Sequence, residues 1–128
     1  MAGKMVGILE DKYKQAPGDL LVAFSPAICR KCYTIDRQSA AAFIEAGFGG
    51  IEFMEERDDG LFELDLKAIN REQLVRAGVR LENVDYDDYC TSCRPDLFFS
   101  YRREQGKTGR MLGFIAIKDA QGEVNLER

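Results

Sequence analysis

The chain has 128 residues, 45% of them hydrophobic and 31% charged, with 18 basic side chains against 22 acidic ones for a net charge of -4. That is the size of one domain, too rich in apolar residues to be disordered and too acidic overall for a nucleic-acid footprint. No apolar run approaches the roughly 18 residues of a membrane helix, and the absence of histidine excludes a His base, a His-Cys dyad or a His metal ligand supplied by this chain.

The segment Gly3 to Lys14 predicts a helix, with Met5, Leu9 and Tyr13 on one face and charges opposite. Its charges at Lys4, Glu10, Asp11 and Lys12 are incompatible with the apolar core of a secretory signal. Pro17-Gly18 ends it. Asp19 to Phe24, DLLVAF, reads as a short buried strand. A loop after Ser25-Pro26 carries Cys29 and Cys32. Arg37 to Ala46 predicts a second helix with Ala40, Phe43 and Ile44 inward and Gly47 as its stop. Gly49 to Gly60 mixes glycines and acidic residues and reads as irregular surface.

A third helix is signalled by Asp65 as N-cap, an apolar side of Leu66, Ile69, Leu74 and Ala77, and Gly78 at its close. Val79 to Val84 leads into a strand, and Asp85 to Asp88 forms an acidic loop before Cys90. Arg110 to Lys118 contains MLGFIAI, the pattern of a strand buried on both faces. The polar tail turns around Gln121-Gly122. Helices and strands are interspersed without repeats or a linker, so the expectation is a single α/β or α+β domain over residues 1–128.

Two groups of residues bear chemistry. Cys29-x-x-Cys32 and Cys90-x-x-Cys93 are paired knuckles of the kind that supply four thiolates to a tetrahedral zinc ion. The interval between the pairs is far longer than in a zinc ribbon, so the alternative is four thiols with separate packing roles. A redox role fits less well, because neither pair sits in a thioredoxin-like strand-to-helix setting. Nothing in the sequence indicates export, so reduced thiols in a cytosol are the default. The second group is the basic-aromatic block Pro95 to Arg110, where Arg102, Arg103, Lys107 and Arg110 surround Phe98, Phe99 and Tyr101, with Arg94 just before it. Guanidinium forks suit phosphate, aromatic faces suit a base, and Ser100 and Thr108 offer hydroxyls. The competing expectation is an ordinary loop whose arginines pair with Asp85 to Asp88. The run Glu55-Glu56, Asp58-Asp59 reads as solvated surface.

Taken in order, SPAIC-x-x-CY, LDL-x-x-x-N-x-x-QL-x-x-x-GV, CTSC-x-x-DLFFSYRR and TGRM followed by an apolar run resemble the YfiH family. These are laccase-domain, multicopper polyphenol oxidase-like proteins, similar to purine nucleoside phosphorylases. The likeness runs from Ala2 to about Ile117. It implies a cytoplasmic enzyme that binds zinc, sometimes copper, and phosphorolyses purine nucleosides. Adenosine deamination, polyphenol oxidation and peptidoglycan editing are also attributed to the family. The implied fold is α+β: half of a two-subdomain α/β sandwich, a mixed sheet with helices.

Family members run to about twice this length. Their two-histidine, one-cysteine metal site lies in vHG, ADC and HAGWRG segments, none of which occurs here, and Ser25 stands where the family has glycine. The resemblance therefore implies the C-terminal half, inactive alone, with its catalytic residues unknown. Thr91, Ser100, Arg102 and Arg110 would hold substrate or phosphate, with Cys90 buried beside them. Purine nucleoside and phosphate are the expected partners, with no nucleic acid and no membrane. A half-fold exposing its inner face is expected to form a homo-oligomer or to bind the missing N-terminal half. The alternative is a zinc-stabilised binding module, or a partner-complementing subunit, built on Cys29, Cys32, Cys90 and Cys93.

Overall fold

The computed structural model describes residues 1–116. Three helices and two small sheets give an α+β fold. Helix α1 is Ala2–Tyr13 and ends in left-handed backbone at Lys14. A 3-10 turn at Pro17–Asp19 leads to strand β1, Val22–Ala23. A second 3-10 turn, Arg30–Cys32, precedes β2, Thr34–Ile35. Helix α2 is Arg37–Glu45, followed by β3, Met54–Glu56, and β4, Phe62–Leu64. Helix α3 is Leu66–Arg76, and a 3-10 turn at Leu81–Asn83 delivers β5, Val84–Asp85. Among the described residues no helix is long and apolar enough to cross a membrane.

One sheet is antiparallel in the order β2-β4-β3, and the other is the parallel pair β1-β5. Around the first sheet, Ala40, Phe48, Phe53, Met54, Phe62, Leu64 and Ile69 form one buried cluster, with Tyr33, Ile35 and Phe43 against it. Phe48 and Phe53 meet edge-on at 5.4 Å, the arrangement that ring quadrupoles favour. A second cluster of Val6, Leu74, Val79 and Val84 ties α1 and α3 to the parallel pair.

The helix starts have clear causes. Asp36 accepts the Ser39 N–H at 2.7 Å, and Asp65 accepts the Ala68 N–H at 2.9 Å. Each satisfies an otherwise orphaned donor. Gly47 and Gly78 follow α2 and α3 with φ of 81° and 91°, a conformation glycine adopts without Cβ strain.

Several expectations are corrected. Asp19 to Phe24 pairs only at Val22–Ala23, because Pro17–Asp19 coils as a 3-10 turn. Gly49 to Gly60 is not all irregular surface: Phe53 and Met54 are core residues, and β3 begins at Met54. The acidic residues there are exposed, as expected, and within the run Glu55 pairs with Arg30 at 3.1 Å and Glu56 with Arg37. Val79 to Val84 does lead into a strand, through the 3-10 turn at Leu81–Asn83 to β5, with Val79 and Val84 buried. On α1 it is Val6 that is buried, while Met5 and Tyr13 are exposed. Ile44 of α2 is also exposed. Met111 to Ala116 forms no strand and lies open to solvent, with Leu112 91% and Phe114 89% exposed. Ile117, Lys118 and the turn at Gln121-Gly122 lie outside the described residues.

Candidate functional site

The parallel pairing of β1 with β5 builds the site. Val22 lies opposite Val84 and Ala23 opposite Asp85. Phe24 stacks on Tyr86 with ring centroids 5.3 Å apart. The two chains then run on side by side to a bridge between Ala27 and Cys90, where the Thr91 N–H donates to the Ala27 carbonyl at 3.3 Å. Each chain carries a CxxC just beyond that point, so distant knuckles become neighbours.

The four Sγ atoms of Cys29, Cys32, Cys90 and Cys93 lie within 4.8 Å of one another. Cys93 Sγ is 3.5 Å from Cys32 Sγ and 4.0 Å from Cys29 Sγ. The first knuckle is set by the 3-10 turn, in which the Cys32 N–H donates to the Cys29 carbonyl at 3.0 Å. Cys90 is buried, and its sulfur accepts N–H bonds from Cys29 at 3.2 Å and Cys93 at 3.4 Å. Burial pushes the Cys90 thiol up, but these backbone donors outweigh it and bring the thiol down to about 6. Cys93, hydrogen-bonded to Cys32, Cys90 and Cys29, is pushed up to about 12. Burial raises Cys29 as well. One negative charge in the cluster thus opposes a second. The alternative of four thiols packed apart is not what the fold adopts.

Beside the cluster lies a cleft of about 760 Å³ lined by Ile28, Tyr33, Thr91, Ser100, Tyr101 and Arg102, among others. Thr91 and Ser100 are buried polar residues in its wall. The Ser100 hydroxyl accepts the Arg103 N–H at 3.4 Å, and the Glu104 carboxylate accepts the Ser100 N–H at 3.3 Å. These bonds open a tight turn that Gln105 and Gly106 close with positive φ. Arg102 lies over the Tyr33 ring at 4.8 Å and donates to the Thr34 carbonyl at 3.1 Å. Of the four residues implied by the family likeness, the fold brings Thr91, Ser100 and Arg102 into one cleft. Arg110 is exposed and does not line it.

Among the described residues the arginines form no ion pair with Asp85 to Asp88. Arg94 holds Asp96 through two bonds of 3.0 and 2.8 Å. Arg103 donates to the carbonyls of Thr91 at 2.7 Å, Ser92 at 3.0 Å and Phe98 at 2.9 Å, and to the Glu104 carboxylate. It is a staple between the second knuckle and the turn, not a free cation for a ligand. Sequence reasoning did not single out Tyr33 as a cleft residue; its position next to Cys32 was the available signal. The two-histidine, one-cysteine metal site finds no fit here: the chain has no histidine, and its four cysteines gather into an all-sulfur group instead.

Comparisons with known proteins place the chain and its fold in a family. Residues 1–118 match the family described as multi-copper polyphenol oxidoreductase laccase. Purine nucleoside phosphorylase YlmD of Geobacillus stearothermophilus is 39% identical over 120 residues, which are 93% of this chain and 44% of that protein. Its crystal structure superposes with a TM-score of 0.78 at 38% identity, over 84% of this chain and 40% of that one. The Bacillus licheniformis protein YfiH gives 0.70 at 32% identity, over 84% and 41%. The chain spans less than half the length of these relatives. With the family model matching residues 1–118, and with the same backbone course in two solved relatives, the chain belongs to the multi-copper polyphenol oxidoreductase laccase family.

Proposed function

We propose that this chain forms the substrate-holding wall of a purine nucleoside phosphorylase cleft, and that the metal-bearing wall lies outside its residues. The observation that carries the reading is the convergence of Thr91, Ser100 and Arg102 on one cleft flanked by Tyr33 and Tyr101. Arg102 uses one N–H on the Thr34 carbonyl, and its planar fork has further donors for an anionic oxygen. The Ser100 hydroxyl accepts from backbone and keeps its own proton for a ligand. Tyrosine faces suit a purine ring. Arg110 joins the same anion once the segment after it is laid against the second wall.

The exposed side chains of Leu112, Phe114 and Ile115 support that arrangement, since contiguous apolar exposure of this kind marks a contact surface. The rest of the fold, or a second copy of the chain, covers them. The chain alone is inactive, and its setting is cytoplasmic. A second reading, a metal-stabilised binding module, draws on the sulfur cluster and is compatible with the first.

The test is titration of the purified chain with adenosine and, separately, inorganic phosphate, alongside a phosphorolysis assay with zinc added. Saturable binding of both ligands, weakened at least tenfold in Arg102→Met, with no turnover, is the expected result. Absence of binding would remove the cleft assignment. Robust turnover would show that the second wall is not needed.

A further inference from the structure

We propose that Cys29, Cys32, Cys90 and Cys93 bind one zinc ion as a structural four-thiolate centre that locks the two cysteine knuckles, and the cleft residues beside them, together. A tetrahedral zinc with Zn–S bonds of about 2.3 Å needs sulfurs about 3.8 Å apart. The sulfur of Cys93 stands 3.5 Å from that of Cys32 and 4.0 Å from that of Cys29, and all four fall within 4.8 Å of one another. The set is therefore at the right spacing for an ion at its centre. All four donors are soft, and a tetrahedral all-sulfur set suits zinc.

The surroundings are those of a built metal site. N–H groups of Cys29 and Cys93 point at the Cys90 sulfur, the kind of outer contact that fixes a thiolate ligand in orientation. Between Cys90 and Ala116, the buried residues are Cys90, Thr91 and Ser100, so this stretch has almost no apolar core of its own. A metal that joins four thiolates supplies folding free energy where hydrophobic burial does not.

The centre also reaches the cleft. Tyr33 directly follows Cys32 and Thr91 directly follows Cys90, and both line it. Arg102 rests on Tyr33, while Arg103 grips the Thr91 carbonyl. Holding the knuckles together thus holds Tyr33, Arg102 and Thr91 in register. This inference rests on the sulfur geometry and not on nucleoside binding, so metal analysis and ligand titration fail independently.

The experiment is elemental analysis of the full chain, expressed with zinc supplied and purified under reducing conditions without chelator. One zinc per chain is expected. Replacement by cobalt should give the intense visible absorption of a tetrahedral thiolate site. Cys93→Ser, the exposed ligand, should weaken zinc binding by more than the roughly tenfold that loss of an outer-shell partner costs. Cys93→His should restore it, because three sulfurs and one imidazole still make a tetrahedral site. Should the serine variant fail to fold, the wild-type chain supplies the same answer: a chelator lowers its melting temperature and added zinc restores it. A chain that holds no metal, holds iron in place of zinc, or shows disulfides by mass in its native state overturns the proposal.

Discussion

Phe53 is 7% exposed and Phe114 is 89% exposed, and the difference separates two kinds of region in this molecule. Phe53 belongs to the core around the β2-β4-β3 sheet, where helix α2, helix α3 and the strands close over one another. That region finds its partners within the chain. Phe114 follows the cysteine knuckles and the cleft, in a stretch held by carbonyl contacts, tight turns and clustered sulfurs. Apolar residues there face outward. Hydrophobic burial stabilises the first region, whereas the second relies on directional contacts.

The largest expected effect breaks that contrast at its first member. Phe53→Ala removes a ring packed edge-on against Phe48 and leaves a cavity. Such truncations cost about 3–5 kcal/mol, so urea unfolding should show a large loss of stability. Phe114→Ala should change the stability of the same chain by no more than about 0.5 kcal/mol, as exposed substitutions do. It should instead reduce self-association, read by sedimentation. Equal destabilisation by the two substitutions would erase the distinction between the regions.

A smaller effect sharpens the account of the cleft. A Cβ built on Gly109 would stand 2.6 Å from the nearest Phe99 ring atom, far inside contact distance. Phe99 is half exposed, so its ring can swing away and relieve most of the overlap. Gly109→Ala is therefore expected to cost only about 1 kcal/mol of stability. Because Phe99 is part of the cleft wall, adenosine binding should weaken several-fold. Unchanged binding would show that the ring does not shape the ligand space.

The two regions also differ in how much of them the sequence makes readable. Helix α3 is announced by Asp65, by Ile69 and Leu74, and by Gly78, because cap, period and stop all act within a dozen residues. Strand β3 is hidden, because Phe53 and Met54 sit between glycines and acids and the alternation lasts only three residues. Its glutamates are the exposed charge they look like, and their pairing with Arg30 and Arg37 is a long-range contact with no local signal. The cysteine cluster depends on the parallel register of Val22 with Val84, a long-range pairing that leaves no local periodicity. The spacing within each CxxC was legible, but the approach of one pair to the other was not. At Met111 to Ala116 the apolar pattern of a buried strand is present without a partner among the described residues. Pattern reports what a segment is suited to pack against, and no such surface covers Met111 to Ala116 among the described residues.

The smallest expected effect tests the closed region at its edge. Asp36 caps α2, and the N–H bond from Ser39 holds its carboxyl below the usual carboxylate range. A carboxyl lowered on folding stabilises the native state above its unfolded value, and that contribution disappears as pH falls through the folded one. Acidification should therefore fray the first turn of α2, while α1, which has no side-chain cap, is spared. Asp36→Asn keeps an acceptor for the Ser39 N–H but cannot be protonated in this range. The wild-type chain should lose its α2 amide protection on acidification, read by hydrogen exchange at Ser39 and Ala40, and the asparagine variant should keep it. Both chains behaving alike would mean that the cap is held by packing of Ala40 against the core and owes little to the carboxylate.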